Sequence, residues 1–168
     1  LKLDEAAYFI LHQPSFIPYT APMPQLILVV DDEPKITRLA RDYLEKNGFR
    51  VVTAADGQSA LTTARREKPD LVILDLMLPQ IDGREVCRIL RAEVDPLLPV
   101  VMVTGMDDLE SVQAAYDSGA TDFIAKPVNW ALIGHRVRYL LRMHDALLSL
   151  REAEARHAGV SRREDAQP

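Results

Sequence analysis

Five side chains that can do chemistry stand at or just past the ends of short apolar runs: Asp31, Asp32, Asp75, Thr104 and Lys126. Carboxylates that cluster lose hydration and repel one another, so they stay ionised only beside a cation. A hard divalent ion such as Mg²⁺ suits them, because it bridges carboxylate and phosphate oxygens. A lysine adds a second positive charge for an anion, and a hydroxyl can donate it a hydrogen bond. Brought together, these groups would equip the chain for phosphoryl transfer to a carboxylate.

The five side chains can meet only if the apolar runs are parallel strands of one sheet. We predict strands at 25–30, 50–54, 70–75, 99–104 and 121–125, and helices at 36–48, 57–68, 84–93, 108–120 and 129–150. The most apolar runs are typical of strands covered on both faces, and the helices repeat apolar residues every three or four positions. This alternation predicts right-handed crossovers, helices on both faces, and strand carboxyl ends that share one ligand-binding edge.

Each of these residues also has an ordinary structural explanation when it is taken alone. Either aspartate of the pair before Pro34 can cap a helix, and Thr104 can do the same. Asp75 can open a turn, and Lys126 can be a solvated surface lysine. Five such residues at one predicted sheet edge favour a binding site over five separate coincidences.

Composition excludes several classes of partner. The net charge is −5, with 20 basic and 25 acidic residues, which gives no electrostatic reason to expect nucleic acid or an anionic membrane. The lone cysteine, Cys87, rules out an internal disulfide framework and favours a cytoplasmic protein. No apolar run approaches the roughly 18–20 residues of a membrane helix.

The chain divides into three predicted parts. Residues 1–24 carry four prolines after position 13 and form an arm outside the core, disordered or vector-derived. Residues 25–147 form the folded domain. Residues 148–168 form a helical extension and a charged tail or linker.

Four stretches, "VVDDEP", "LVILDLMLPQIDG", "VVMVTG" and "FIAKPV", resemble the receiver domains of two-component response regulators across about residues 25–147. The resemblance implies a flavodoxin-like doubly wound parallel sheet of five βα units, with strand order 2-1-3-4-5 and here an extended C-terminal helix. It implies a phosphorylation-switched signalling domain of a phosphorelay rather than an enzyme. The implied partner is a histidine kinase or a phosphotransfer protein.

Carried over residue by residue, the resemblance implies that Asp75 is the phosphoacceptor. Asp31, Asp32, Asp75 and the backbone carbonyl of Met77 would hold Mg²⁺. Gly83 would fit the tight loop and the helix start that follow the acceptor.

The resemblance also implies a switch beside the acceptor. Thr104 matches the switch hydroxyl, and Phe123 matches the aromatic residue that fills the space it leaves. Lys126 matches the phosphate-binding lysine, with a cis peptide bond to Pro127.

The lifetime of the phosphoryl group depends on two positions that flank the approach of the attacking water in receivers. They are Met77 and Met106, neither of which can orient a water molecule. We therefore predict slow spontaneous hydrolysis.

The output and the assembly leave alternatives open. The stretch 126–142 resembles receivers attached to cyclic-di-GMP enzymes, notably diguanylate cyclases, with the effector domain missing from this chain; the alternative is a stand-alone receiver that acts through protein–protein contacts. An aspartyl-nucleophile phosphohydrolase would need an acidic residue where Met77 stands. A passive dimerisation module would not need the acidic site.

Apolar residues at 140, 143, 147 and 150 predict a short coiled-coil seam for a homodimer.

Overall fold

The structure, a computed structural model of the chain, describes residues 24–105, 113, 114 and 116–164, and their side chains as far as residue 157. Nearly all of the predicted arm at 1–24 lies outside the described residues. The same is true of Met106, of positions 108–112 and 115 in the predicted helix at 108–120, and of the end of the tail. The strands are β1 Leu26–Val30, β2 Arg50–Ala54, β3 Leu71–Asp75, β4 Val100–Thr104 and β5 Asp122–Ala125. The helices are α1 Pro34–Lys46, α2 Gly57–Glu67, α3 Gly83–Ile89 and α4 Trp130–Glu164.

The five strands form one parallel sheet in the order β2-β1-β3-β4-β5. This order confirms the predicted flavodoxin-like topology. The three central strands are buried along their whole length, which explains their continuous apolar sequences.

Successive residues of each central strand point to opposite faces, so the sheet separates two cores. Leu28, Val72 and Met102 lie in the core beneath α2 and α3, whereas Ile27, Ile73 and Val101 lie in the core beneath α1 and α4. Each fully buried side chain of this size stabilises the fold by about 1.5–3 kcal/mol. Both cores together hold the strand ends, and with them the site, in place.

The helix predicted at 84–93 changes character halfway. The α-helix ends at Ile89, and Leu90–Val94 form a π-helical turn in which the Asp95 N–H donates to the Leu90 carbonyl. Arg91 lies within this turn, and its Nε donates to the Gly119 carbonyl at 2.9 Å.

Helix α4 starts where it was predicted but continues to Glu164 rather than ending at 150. Its buried apolar side chains all fall in the first half: Trp130, Ile133, Val137, Leu140 and Leu141. None of its described side chains after these is buried. At 35 residues the helix is about 52 Å long, so its second half projects beyond the sheet. Among the described helices, none is both long enough and apolar enough to cross a membrane.

Candidate functional site

Three aspartates meet at the carboxyl edge of the sheet. Asp31 directly follows β1, and Asp75 is the last residue of the neighbouring β3. Both are buried, with 4% and 3% of their surface exposed, whereas Asp32 is exposed at the mouth of the site. One carboxylate oxygen from each of the three lies within 4.8 Å of the others. Such a set of hard oxygen donors fits a divalent cation of the Mg²⁺ type.

The electrostatics of this cluster favour a bound cation. Burial raises the pKa of Asp31, and the negative charges of Asp75 and Asp32 raise it further. A hydrogen bond from the Glu33 N–H at 2.8 Å and the charge of Lys126 act in the opposite direction. A divalent ion between the carboxylates would remove the repulsion and keep all three ionised.

Lys126 supplies the positive charge opposite the aspartates. Its Nζ lies 2.9 Å from Oδ2 of Asp75 and 3.6 Å from Oδ2 of Asp31. Burial alone would lower the pKa of Lys126, but the hydrogen bond to Asp75 and the attraction of both carboxylates raise it. The residue follows β5, where its N–H donates to the Thr104 carbonyl at 2.7 Å. Its peptide bond to Pro127 is cis, as predicted.

The loop between β3 and α3 is tightly folded around the acceptor. The Met77 N–H donates to Oδ1 of Asp75 at 3.3 Å, while the Met77 side chain is 60% exposed. The Gly83 N–H donates to the Leu76 carbonyl at 2.9 Å. A Cβ on Gly83 would overlap the Asp75 carbonyl oxygen and would lie 2.9 Å from the Leu76 Cα. The predicted need for glycine at this position therefore has a direct steric cause.

A feature that the sequence analysis missed lies within the same loop. Gln80 has a φ of 69°, and the Ile81 N–H donates to the Pro79 carbonyl at 2.9 Å. The positive φ and this three-residue hydrogen bond mark a classic γ-turn, which is rare and strained. Pro79 is a turn signal in the sequence, but glutamine carries no preference for positive φ.

The proposed switch residues lie on the adjoining strands. Thr104 is the buried last residue of β4 and pairs in register with Ala125, just before Lys126. Phe123 lies deeper in β5, half-buried, with its ring edge-on to Tyr116 at a centroid distance of 5.5 Å. The structure thus places Thr104 at the carboxyl ends of the strands, together with the carboxylates. Phe123 lies two residues before the end of β5, the outermost strand.

Comparison with known proteins agrees with this geometry. The family model described as response regulator receiver domain matches residues 27–138. The alkaline phosphatase synthesis transcriptional regulatory protein PhoP of Bacillus subtilis is 42% identical over 120 residues, which are 71% of this chain and 50% of that protein. The DNA-binding response regulator MtrA of Mycolicibacterium smegmatis is 43% identical over 123 residues, or 73% and 53% of the two chains. The chain spans about half the length of these curated relatives.

Solved structures give the same result. A CheY-like response regulator receiver domain protein from Methanospirillum hungatei has a TM-score of 0.69 at 28% identity, covering 73% of this chain and 98% of that one. The receiver domain of DrrB, activated with BeF3, has a TM-score of 0.66 at 33% identity, covering 71% and 99%. With the matched sequence, the strand order and the acidic cluster all in agreement, the chain belongs to the response regulator receiver domain family of two-component systems.

Proposed function

We propose that Asp75 accepts a phosphoryl group from the phosphohistidine of a histidine kinase or phosphotransfer protein. The supporting observation is the placement of Asp75, buried beside Asp31 and 2.9 Å from the Lys126 ammonium. An Asp75 oxygen forms the bond to phosphorus, and the phosphorus–nitrogen bond of the donor breaks with its electron pair left on nitrogen. Lys126 pairs with the incoming phosphoryl oxygens instead of with Asp75.

The metal site of this proposal consists of Asp31, Asp32, Asp75 and the backbone carbonyl of Met77. Bound Mg²⁺ would neutralise the charge that gathers on the phosphoryl oxygens during transfer. Asp31 and Asp32 would hold the ion from the β1 end, and the sheet keeps Asp75 beside them. The mutual approach of the three carboxylates supports this role.

The switch follows from the added charge. Thr104 turns its hydroxyl toward the phosphoryl group, and Phe123 moves into the space left on the sheet. The face around β5 and α4 is then repacked, so that a local change in charge selects between two packings. The position of Thr104 supports this step, because it pairs in register with Ala125, the residue before Lys126.

The test is Mg²⁺-dependent modification by acetyl phosphate or beryllofluoride. We expect Asp75→Asn to abolish the modification and Asp32→Ala to weaken Mg²⁺ binding. Both outcomes would also exclude a passive dimerisation module. Normal labelling of the Asp75→Asn protein would overturn the assignment. An aspartyl phosphohydrolase is disfavoured, because Met77 provides no acid or base at the position that such chemistry requires.

The output acts outside this chain in our proposal. The curated relatives are named as transcriptional or DNA-binding regulators, and the matched part is about half of each. These names favour a DNA-binding effector and give no support to the cyclic-di-GMP output expected from residues 126–142. A stand-alone receiver is the alternative. The gene sequence beyond codon 168 distinguishes the two.

A homodimer through the projecting part of α4 is a further element of the proposal. Leu140, the first residue of the predicted seam, lies instead in the core at 6% exposure. Met143, Leu147 and Leu150 are 45–56% exposed and continue the seam at four- and three-residue steps. We expect light scattering at high protein concentration to detect a dimer that Leu147→Glu abolishes. A monomer with and without beryllofluoride would contradict it.

A further inference from the structure

The strained γ-turn after the acceptor must be held by its surroundings. A backbone conformation of this kind costs on the order of 1–3 kcal/mol and persists only where neighbouring contacts impose it. The turn at Gln80 lies in the same loop as Met77, whose carbonyl belongs to the proposed metal site. Contacts that hold the turn therefore also restrain the backbone that carries this carbonyl.

Two of the restraints on this loop come from its own ends. The Leu76 N–H donates to the Val103 carbonyl of β4 at 2.9 Å. At the other end, an Asp82 carboxylate oxygen caps α3 by accepting from the Glu85 N–H at 2.9 Å. Neither contact involves the residues of the turn itself, of which Pro79 and Gln80 are exposed.

The third restraint comes from α2, through its first residue. A Cβ on Gly57 would lie 2.9 Å from both the Cβ and the carbonyl oxygen of Ile81, the residue that closes the γ-turn. The same Cβ would lie 2.8 Å from Cγ2 of Val86 in α3. The start of α2 thus packs so closely against Ile81 and Val86 that no side chain fits between them at position 57.

Glycine is needed at this position for its size and not for its conformation. The glycines with positive φ in the described residues are Gly48 and Gly119, so Gly57 has backbone angles that alanine adopts without strain. The start of α2 is stabilised separately by a reciprocal capping box between Asp56 and Ser59. Helix propensity alone would even favour alanine over glycine here.

We infer that Gly57 is a positioning residue for the metal site, acting through Ile81 and the γ-turn on the Met77 carbonyl. The inference rests on the proposed function. A methyl group on Gly57 meets a backbone oxygen that no side-chain rotation can move, so either the loop or α2 must shift. Mg²⁺ requires nearly ideal octahedral geometry, and its affinity is sensitive to small displacements of a ligand.

The experiment compares Gly57→Ala with the matched control Ser59→Ala. The control breaks the capping box of the same helix, at a cost of about 1 kcal/mol, but adds no atom near Ile81. Titration calorimetry measures Mg²⁺ affinity without a phosphodonor, and denaturation measures stability. We expect Gly57→Ala to weaken Mg²⁺ binding by roughly tenfold and Ser59→Ala to leave it unchanged.

A second measurement keeps the test valid if Gly57→Ala is partly unfolded. The rise in unfolding free energy with Mg²⁺ follows RT ln(1 + [L]/Kd) and can be measured for a marginally stable variant. Unchanged Mg²⁺ affinity in Gly57→Ala would overturn the inference, as would an equal loss in Ser59→Ala. Failure of the unmodified protein to bind Mg²⁺ would instead overturn the proposed function.

Discussion

The two loops that border the carboxylates are built in opposite ways. After β3, Gly83 is packed so closely that a Cβ would overlap the Asp75 carbonyl oxygen. After β4, a Cβ on Gly105 would meet no atom of the described residues within 4 Å. The loop that carries the acceptor is thus fixed by backbone contacts, whereas the described surroundings of Gly105 leave room for an added methyl group. A metal site must be organised in advance, but a switch needs room for a second packing.

Substitution of the two glycines gives the largest expected difference between the loops. We expect Gly83→Ala to lower the free energy of unfolding by about 3 kcal/mol, because the new methyl group meets backbone atoms that cannot rotate away. Gly105→Ala should change it by less than about 0.5 kcal/mol. Urea denaturation measures both. Equal losses at the two positions would remove the contrast between a fixed and an open loop.

The sequence carries the information for the fixed loop only in part. Asp75 was predicted from its position at the end of an apolar run, and the fit of Gly83 to a tight loop from the resemblance to receiver domains. The γ-turn at Gln80 could not be predicted, because glutamine does not favour positive φ and tertiary contacts impose the conformation. Gly57 looks like an ordinary helix start after Asp56, since its contact with Ile81 depends on how α2 packs against the loop.

The parallel sheet followed from the alternation of apolar runs, and its strand order from the resemblance to receiver domains. The end of α4 followed from neither. The predicted helix stopped at 150 because the apolar periodicity fades there. The stretch "REAEAR" after that point is composed of strong helix formers, which extend a helix without needing a buried face. Periodicity therefore locates the packed half of this helix, whereas intrinsic propensity decides its length.

The lifetime of the phosphoryl group is a second way to compare the two loops. Met77 belongs to the fixed loop. Met106 follows Gly105 and lies outside the described residues. Met77 is exposed, and its thioether cannot orient a water molecule; we predict that it shields the acceptor from one. We expect Met77→Asn and Met106→Glu each to accelerate decay of the acyl phosphate severalfold. Met77→Leu and Met106→Leu are the size-matched controls. Slower decay in the polar variants would contradict the mechanism. Unchanged decay would mean that the backbone, and not the two methionines, sets the rate of hydrolysis.

The smallest expected effect lies at the cap of α2, one residue before the glycine that supports the fixed loop. Hydrogen bonds from the Ser59 N–H and hydroxyl lower the pKa of Asp56 below its ordinary value of 3.8. Because the folded pKa is depressed, the cap stabilises the protein above the unfolded pKa, and this contribution is lost as the pH falls through the folded value.

We expect Asp56→Ala to cost about 1 kcal/mol of unfolding free energy near neutral pH. The difference between the wild type and the variant should shrink as the pH falls below about 4, because the protonated Asp56 accepts the Ser59 hydrogen bonds less well. Asp56→Asn is the control, since it keeps an oxygen acceptor but does not titrate. Other carboxylates titrate equally in all three proteins and cancel in the comparison. A difference between wild type and Asp56→Ala that stays constant down to pH 2 would mean that the cap does not depend on charge.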